Sequence, residues 1–197
     1  MKFRTDLTLE NHKVILLPLQ SGHVKELAQL LSDPRVWELT WRKNITEQAI
    51  ELALESALAS REAGTQLPFV IIDKASGRAA GTTRLGDLDV PNRNVEIGWT
   101  WLSPDFWGRG INPACKLLLL QYGFEELGVL RVQFSASGSN VRSQRALEKI
   151  GAVREGVLRR HRVDATDGGT VHDNVFYSIL DREWPLVKER LLQEIDA

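Results

Sequence analysis

Three sets of residues in this chain have types and spacings that could do chemistry. The first is a glycine-rich turn, Trp107-Gly108-Arg109-Gly110, running into Ile111 and Asn112 at the start of an apolar segment. Glycines let a backbone turn tightly and approach a ligand closely. The helix that follows opens with unpaired N–H groups and a positive dipole end. A diphosphate fits there without a metal, and Arg109 can add charge-assisted bonds to its oxygens. The second set is Asn140 and Ser143, three residues apart behind a strand-like stretch. Asn140 reads as a helix cap that could also donate to a ligand. The third is Glu96, a carboxylate on an alternating segment, able to act as a base or to pair with Arg84 or Arg93. The turn has rival readings as well. It carries neither the G-x-x-x-x-G-K-[ST] pattern nor G-x-G-x-x-G, so P-loop and dinucleotide-binding types are excluded, while a purely structural turn is not.

The elements that must position these residues follow from periodicity. Val14 to Leu17 reads as a first strand ended by Pro18. Ser21 is expected to cap a helix through Leu31, and Thr46 a second one ended by Gly64. Phe69 to Ile72 and Ala79 to Leu85 form a hairpin pattern. Asn92 to Leu102 alternates with period two, which predicts Val95, Ile97, Trp99 and Trp101 on one face and Glu96, Gly98, Thr100 and Leu102 on the other. A helix from the glycine-rich turn to Leu127 has apolar residues all round, so it should be buried on two sides. Leu130 to Ala136 reads as a strand, Asn140 to Ile150 as a helix with Gly151 past its end, and two strands flank the turn Asp164 to Gly169. Asp181 is expected to open a last helix. This order predicts an α+β domain with a mixed central sheet and helices on both faces, in three layers. One domain over residues 1–197 is expected, without repeat or linker.

Composition narrows the function classes. Apolar residues are 43% and charged residues 26% of the 197, which suits a folded domain with a core. Lys plus Arg is 25 against 26 for Asp plus Glu, a balance unlike that of a dedicated nucleic-acid binder. One cysteine excludes a disulfide framework within the chain and a multi-cysteine zinc site, and His12, His23, His161 and His172 show no ligand spacing, so no metal is expected. No apolar run reaches spanning length and the start lacks a signal-peptide core, which predicts a cytoplasmic protein without membrane contact. Cys115 reads as a small buried residue, and Arg159 to Arg162 as a solvated strand. Trp37 and Trp41 are expected to stack on a substrate or close a lid, or else to pack in the core or at its rim. The face around Trp99 and Trp101, with the last strands, could support a homodimer.

Taken together, the segments NVEIGWTWLSPDFWGRGINPACKLLLLQYGFEEL and NVRSQRALEKIGAVREGVLR and the closing SILDREWPLVKERL resemble the GNAT acyl-CoA N-acyltransferase superfamily, in its RimJ/RimL-like branch of ribosomal-protein N-acetyltransferases. The superfamily pattern Q/R-x-x-G-x-G/A aligns on Trp107 to Asn112, keeping Gly110 but with Trp107 and Asn112 at its ends. Related sequences often read Asn-Thr-Glu-Ala-Lys where this one reads Asn112-Pro-Ala-Cys-Lys116. The resemblance implies acetyl-CoA bound in a cleft where two parallel strands, ending at Leu102 and Ala136, splay apart. It implies that main-chain groups near Trp101 and Leu102 bind the pantetheine, that Trp107, Gly108, Arg109, Gly110, Ile111 and Asn112 hold the diphosphate, and that Asn140 bonds the pantetheine side. Many members use a tyrosine as the acid, but Tyr122 and Tyr177 are the only tyrosines and neither follows Asn140. Ser143 is therefore the candidate acid and Glu96 the candidate base, directly or through water. The implied reaction is acetyl transfer to a primary amine, a protein N-terminus or a small amine, by direct attack in a ternary complex. The alternative is a catalytically silent acyl-CoA-binding module with a sensor or assembly role.

Overall fold

A computed structural model describes residues 3–164 and 168–196. The elements are β1 (Leu9–Glu10), β2 (Val14–Pro18), α1 (Val24–Leu30), α2 (Glu47–Glu62), β3 (Leu67–Asp73), β4 (Ala79–Asp89), β5 (Asn94–Leu102), α3 (Ile111–Gln121), β6 (Arg131–Ser137), α4 (Val141–Lys149), β7 (Val153–Asp164), β8 (Thr170–Leu180) and α5 (Trp184–Asp196). The strands form one eight-stranded sheet in the order β1-β2-β3-β4-β5-β6-β8-β7. Every neighbouring pair is antiparallel except β5 and β6, which run parallel.

Two apolar clusters separate the sheet faces, giving the expected α+β three-layer arrangement. Against one face lie α3, Leu147 of α4 and the Trp184, Val187, Leu191 and Ile195 stripe of α5, packed on Val95, Ile97, Val132 and Phe134. Against the other lie Leu27 and Ala28 of α1 and Ile50, Leu54 and Ala57 of α2, packed with Val70 of β3. The i, i+4, i+7 spacing in α2 is one helical stripe. In α3 the buried residues include all of Leu117 to Leu120, because that helix lies between the sheet and α5.

The local signals place most boundaries. Thr46 caps α2, its hydroxyl accepting from Ala49 N at 3.2 Å. Asn140 caps α4, and Gly151 follows that helix with φ of 92°. Three expectations are corrected. Ser21 is not the cap of α1: it opens a short 3-10 turn, Ser21–His23, in which Gln20 N donates to His23 Nδ1, and the α-helix proper starts at Val24. The helix after the glycine-rich turn is α-helical only to Gln121 and continues as a wider π segment, Tyr122–Leu127, where Gly123 brings the backbone close to Val132 of β6. The last helix starts at Trp184, three residues after Asp181, with Asp181 to Glu183 forming a turn. Of the polar turn predicted over Asp164 to Gly169, residues 165–167 lie outside the described residues; its two ends meet, with Gly169 N donating to Asp164 O at 3.0 Å.

The period-two reading of β5 fails at one residue. Trp99 has φ of 49°, a left-handed conformation rare for a bulky side chain, and the β4–β5 register shifts there. Arg84 faces Gly98 and Thr82 faces Trp101, so Trp99 and Thr100 together oppose Thr83. This is a β-bulge, which inserts one residue and reverses the alternation beyond it. Trp101 therefore packs with the α1/α2 cluster and not with Val95 and Ile97, while Leu102 joins the α3 side. The Thr100 hydroxyl bonds Thr83 at 2.8 Å across the bulge.

Candidate active site

The parallel ladder between β5 and β6 is short. Asn94, Val95 and Glu96 pair with Arg131, Val132 and Gln133, and no pairing follows. A bulge bends its strand and increases local twist, which is what carries the second half of β5 away from β6. The wedge so opened is part of a cleft of about 1030 Å³. The edge of β5 beyond Glu96 faces it without a partner strand, and such an edge accepts an extended ligand through main-chain bonds. Trp101 and Leu102 both line the cleft. The Leu102 carbonyl also accepts from Trp107 Nε1 at 3.0 Å, which ties the end of the strand to the glycine-rich turn.

That turn forms the cleft mouth. Trp107 through Asn112 all line it. Gly108 and Gly110 have φ of 73° and 76°, where side chains with a Cβ are disfavoured, and Gly110 serves as the N-cap of α3. Its own face is open apart from Lys13, whose ammonium lies 3.6 Å from where a Cβ would sit. Arg142 stacks its guanidinium 4.0 Å from the Trp107 ring centroid. Bare backbone, the N–H groups of a helix's first turn and flanking cations suit a diphosphate, so the residues present fit a coenzyme A nucleotide. Pro113 costs nothing here, since an N–H in the first turn has no intrahelical partner.

Across the wedge, Asn140 Oδ1 accepts from Ser143 N at 2.9 Å. Asn140 is thus a cap through its oxygen and keeps its Nδ2 donors for the cleft that it lines. Ser143 lines the cleft too. Neither tyrosine does; Tyr177 donates to Glu148 Oε1 at 3.0 Å and Tyr122 is in the core. Glu96 sits at the apex, where the two strands part. It is not paired with Arg84 or Arg93, the alternative to a role as base. Its oxygens accept from Gln133 Nε2 and Ser135 Oγ, both at 2.9 Å, while Arg93 bonds the Gly128 carbonyl. Burial pushes the Glu96 carboxyl above the usual carboxylate range, against the pull of those two donors.

Two cations in the cleft had no site role in the sequence reading, where Arg84 figured only as a possible partner of Glu96. Lys116 Nζ is fully buried, 2.7 Å from Thr100 Oγ1, and its pKa is held down to about 8 by desolvation. Arg84 is buried at 5% exposure, with its pKa lowered to about 10 by burial and then by Arg42. The available signal was the oddity of a lysine inside ACKLLLL and of an arginine at an inward strand position. Cys115 is wholly buried, its thiol pushed up to about 12 by desolvation, as a structural cysteine should be. Trp37 takes the core-packing alternative: it is 1% exposed, donates to Leu31 O at 2.7 Å and packs 4.7 Å from Trp101. Trp41 stays at the rim under Arg42. Trp99 and Trp101 both line the cleft. Among the described residues there is no group of His, Cys, Asp and Glu able to hold a metal, and no helix long and apolar enough to cross a membrane.

Known proteins are similar to this chain in sequence and fold. The model of the acetyltransferase (GNAT) domain matches residues 13–153. The Bacillus subtilis protein named "Putative ribosomal N-acetyltransferase YdaF" is 40% identical over 112 residues, a match covering 55% of this chain and 57% of that relative. The crystal structure of a GCN5-related N-acetyltransferase from Brucella melitensis superposes with a TM-score of 0.84 at 30% identity, covering 95% of this chain and 85% of that one. The fold also matches that of Mycobacterium smegmatis RimJ in complex with CoA-disulfide, with a TM-score of 0.79 at 21% identity over 95% and 94% of the two chains. With the family model spanning most of the chain and the bulged, splayed strand pair in place, this chain belongs to the GNAT family of N-acetyltransferases.

Proposed function

We propose that this chain, as a single domain over 1–197, transfers the acetyl group of acetyl-CoA directly to a primary amine, a protein N-terminus or a small amine. The observation that carries this reading is the parting of β5 from β6 at Glu96, in one cleft with the Gly108 to Asn112 turn. Acetyl-CoA supplies an activated acetyl thioester. The chain's residues do the rest. The turn, with Arg109 and Lys13, holds the diphosphate, and the free edge of β5 and the Asn140 amide align the pantetheine arm. Glu96 takes the proton that the attacking amine must lose, directly or through water. Ser143, whose hydroxyl has no hydrogen bond among the described residues, gives a proton to the departing sulfur. Direct attack fits the burial of Cys115, which leaves the cleft without a thiol to carry the acetyl group. A cytoplasmic setting suits both the acetyl donor and a reduced cysteine. A homodimer would use the β7 edge, where Val153, Leu158 and Val163 are exposed.

The test is thiol release with acetyl-CoA against a panel of N-terminal peptides and small amines, with mass spectrometry of the acetylated product. Acetylation of at least one class at saturable rates is expected. Acetyl-CoA binding with no acetylated amine would favour a silent binding module. Within this scheme Ser143→Ala is expected to lower kcat about 10²-fold while leaving the Kd for acetyl-CoA within about twofold, because an acid acts on the step and not on donor binding. Unchanged kcat would remove Ser143 as the acid.

A further inference from the structure

The acceptor end of the cleft has an unusual charge. Arg84 lies on β4 opposite Gly98, on the same face as Glu96. Its guanidinium lies 5.7 Å from the Trp99 ring centroid and 5.8 Å from that of Trp101, so the bulge helps to enclose it. Nη2 donates to Ala53 O at 3.1 Å and Nη1 to Gln66 Oε1 at 3.4 Å, both neutral acceptors. Nε is buried and has no hydrogen-bond partner among the described residues. Among the described residues no carboxylate forms an ion pair with Arg84. Arg42 and Arg162 line the same region, where Asp164 offsets Arg42. A buried cation with an unmet donor is costly, and proteins keep such groups where something else completes them.

We propose that Arg84 receives a carboxylate of the acceptor, so that the amine substrate of this enzyme carries an acid group within the same molecule. This rests on the transfer reading above and narrows its acceptor. Arg84 faces Gly98, two residues beyond Glu96 along β5, a separation of about 7 Å at strand rise. An amine delivered to Glu96 thus has its carboxylate several bonds away. An N-terminal Asp or Glu, or free glutamate, has that form. A polyamine does not, since it would bring a second positive charge against Arg84 and Arg42.

The experiment pairs acid with amide. N-acetyl-Glu-Ala-amide and N-acetyl-Gln-Ala-amide, which resemble acetylated products and need no turnover, are titrated calorimetrically into the CoA-loaded protein. Glu-Ala-amide, Gln-Ala-amide, free glutamate and spermidine are then compared as acceptors by kcat/KM. The acid probe is expected to bind about tenfold or more tighter than its amide, the gain of one charge-assisted bond. Glu-Ala-amide is expected to outrun Gln-Ala-amide by a similar factor, with free glutamate against the peptide telling which source the site prefers. Arg84→Met should close the gap in binding, and Arg84→Lys should keep part of it. Equal binding of acid and amide, a gap that survives in Arg84→Met, or preference for spermidine would overturn the proposal. If Arg84→Met does not fold, the acid–amide comparison in the unaltered protein still decides. Acetylation of amines without acid preference would sink this inference and leave the enzyme reading intact; acid-selective binding without acetylation of any amine would do the reverse.

Discussion

Gly110→Glu is expected to weaken acetyl-CoA binding by at least about 100-fold, because two effects act at one point. The first is charge. The side chain would stand over the N-terminus of α3, beside Lys13, and its carboxylate would take the place proposed for the diphosphate. Displacing even two or three charge-assisted bonds to phosphate oxygens, each worth about 1.5–3 kcal/mol, exceeds a hundredfold. The second effect is conformational. At φ of 76° an L side chain costs about 1–2 kcal/mol, so the variant should also melt at lower temperature. The two are separable. Gly110→Ala carries the strain without the charge and should retain most of the affinity, since the nearest atom to its Cβ is 3.5 Å away on Lys13. Titration of both variants against acetyl-CoA checks this. Normal affinity in a folded Gly110→Glu protein would remove the turn as the diphosphate site.

Glu96→Gln is expected to lower kcat/KM by about 10²–10⁴-fold, the usual contribution of a general base. The variant should fold. Gln is nearly isosteric, and Gln133 can reverse its amide to present an oxygen to the new NH2 group, while Ser135 can keep donating to the remaining oxygen. The sign of the pH effect follows from burial. The Glu96 carboxyl titrates above the normal carboxylate range, and it serves as a base only when ionised. The rate of the unaltered enzyme should therefore rise with pH through that raised pKa and level off above it. With the same acceptor amine in both proteins, the amine's own titration is common to the two profiles, so the limb lost in Glu96→Gln belongs to Glu96. Identical profile shapes would assign proton removal to water alone.

The two ends of the site were unequally legible. The glycine-rich turn, the Asn140 cap and the strand–helix order were readable because each depends on local preferences: left-handed backbone at Gly108 and Gly110, a short polar side chain before a helix, a change of period from two to 3.6. The neighbours of Glu96 were not readable. Gln133 and Ser135 reach it from a strand that follows it in space but lies beyond a helix in sequence, and the charge rule that suggested Arg84 or Arg93 counts charges without knowing their other partners: Arg84 is held by Ala53 O and Gln66 Oε1, and Arg93 by the Gly128 carbonyl. The bulge was the costliest omission. One residue, Trp99, breaks an alternation that the sequence displays without flaw from Val95 to Trp101, and the break exchanges the faces of Trp101 and Leu102. The reset alternation also turns Trp101 inward onto Trp37, where the two rings lie 4.7 Å apart. Bulges cluster at functional sites because they re-aim a strand, and here the sequence pattern fails at the place where the cleft begins.

Calorimetric titration of the purified protein with acetyl-CoA, followed in the same sample by thiol release on adding amine, tests the central claim most directly. The account predicts saturable binding at one site and thiol release that depends on the amine and yields an acetylated product. Absence of any binding heat, together with no amine-dependent thiol release, would contradict it and would mean that a cleft built from Trp107 to Asn112 and the splayed strands does not hold the coenzyme.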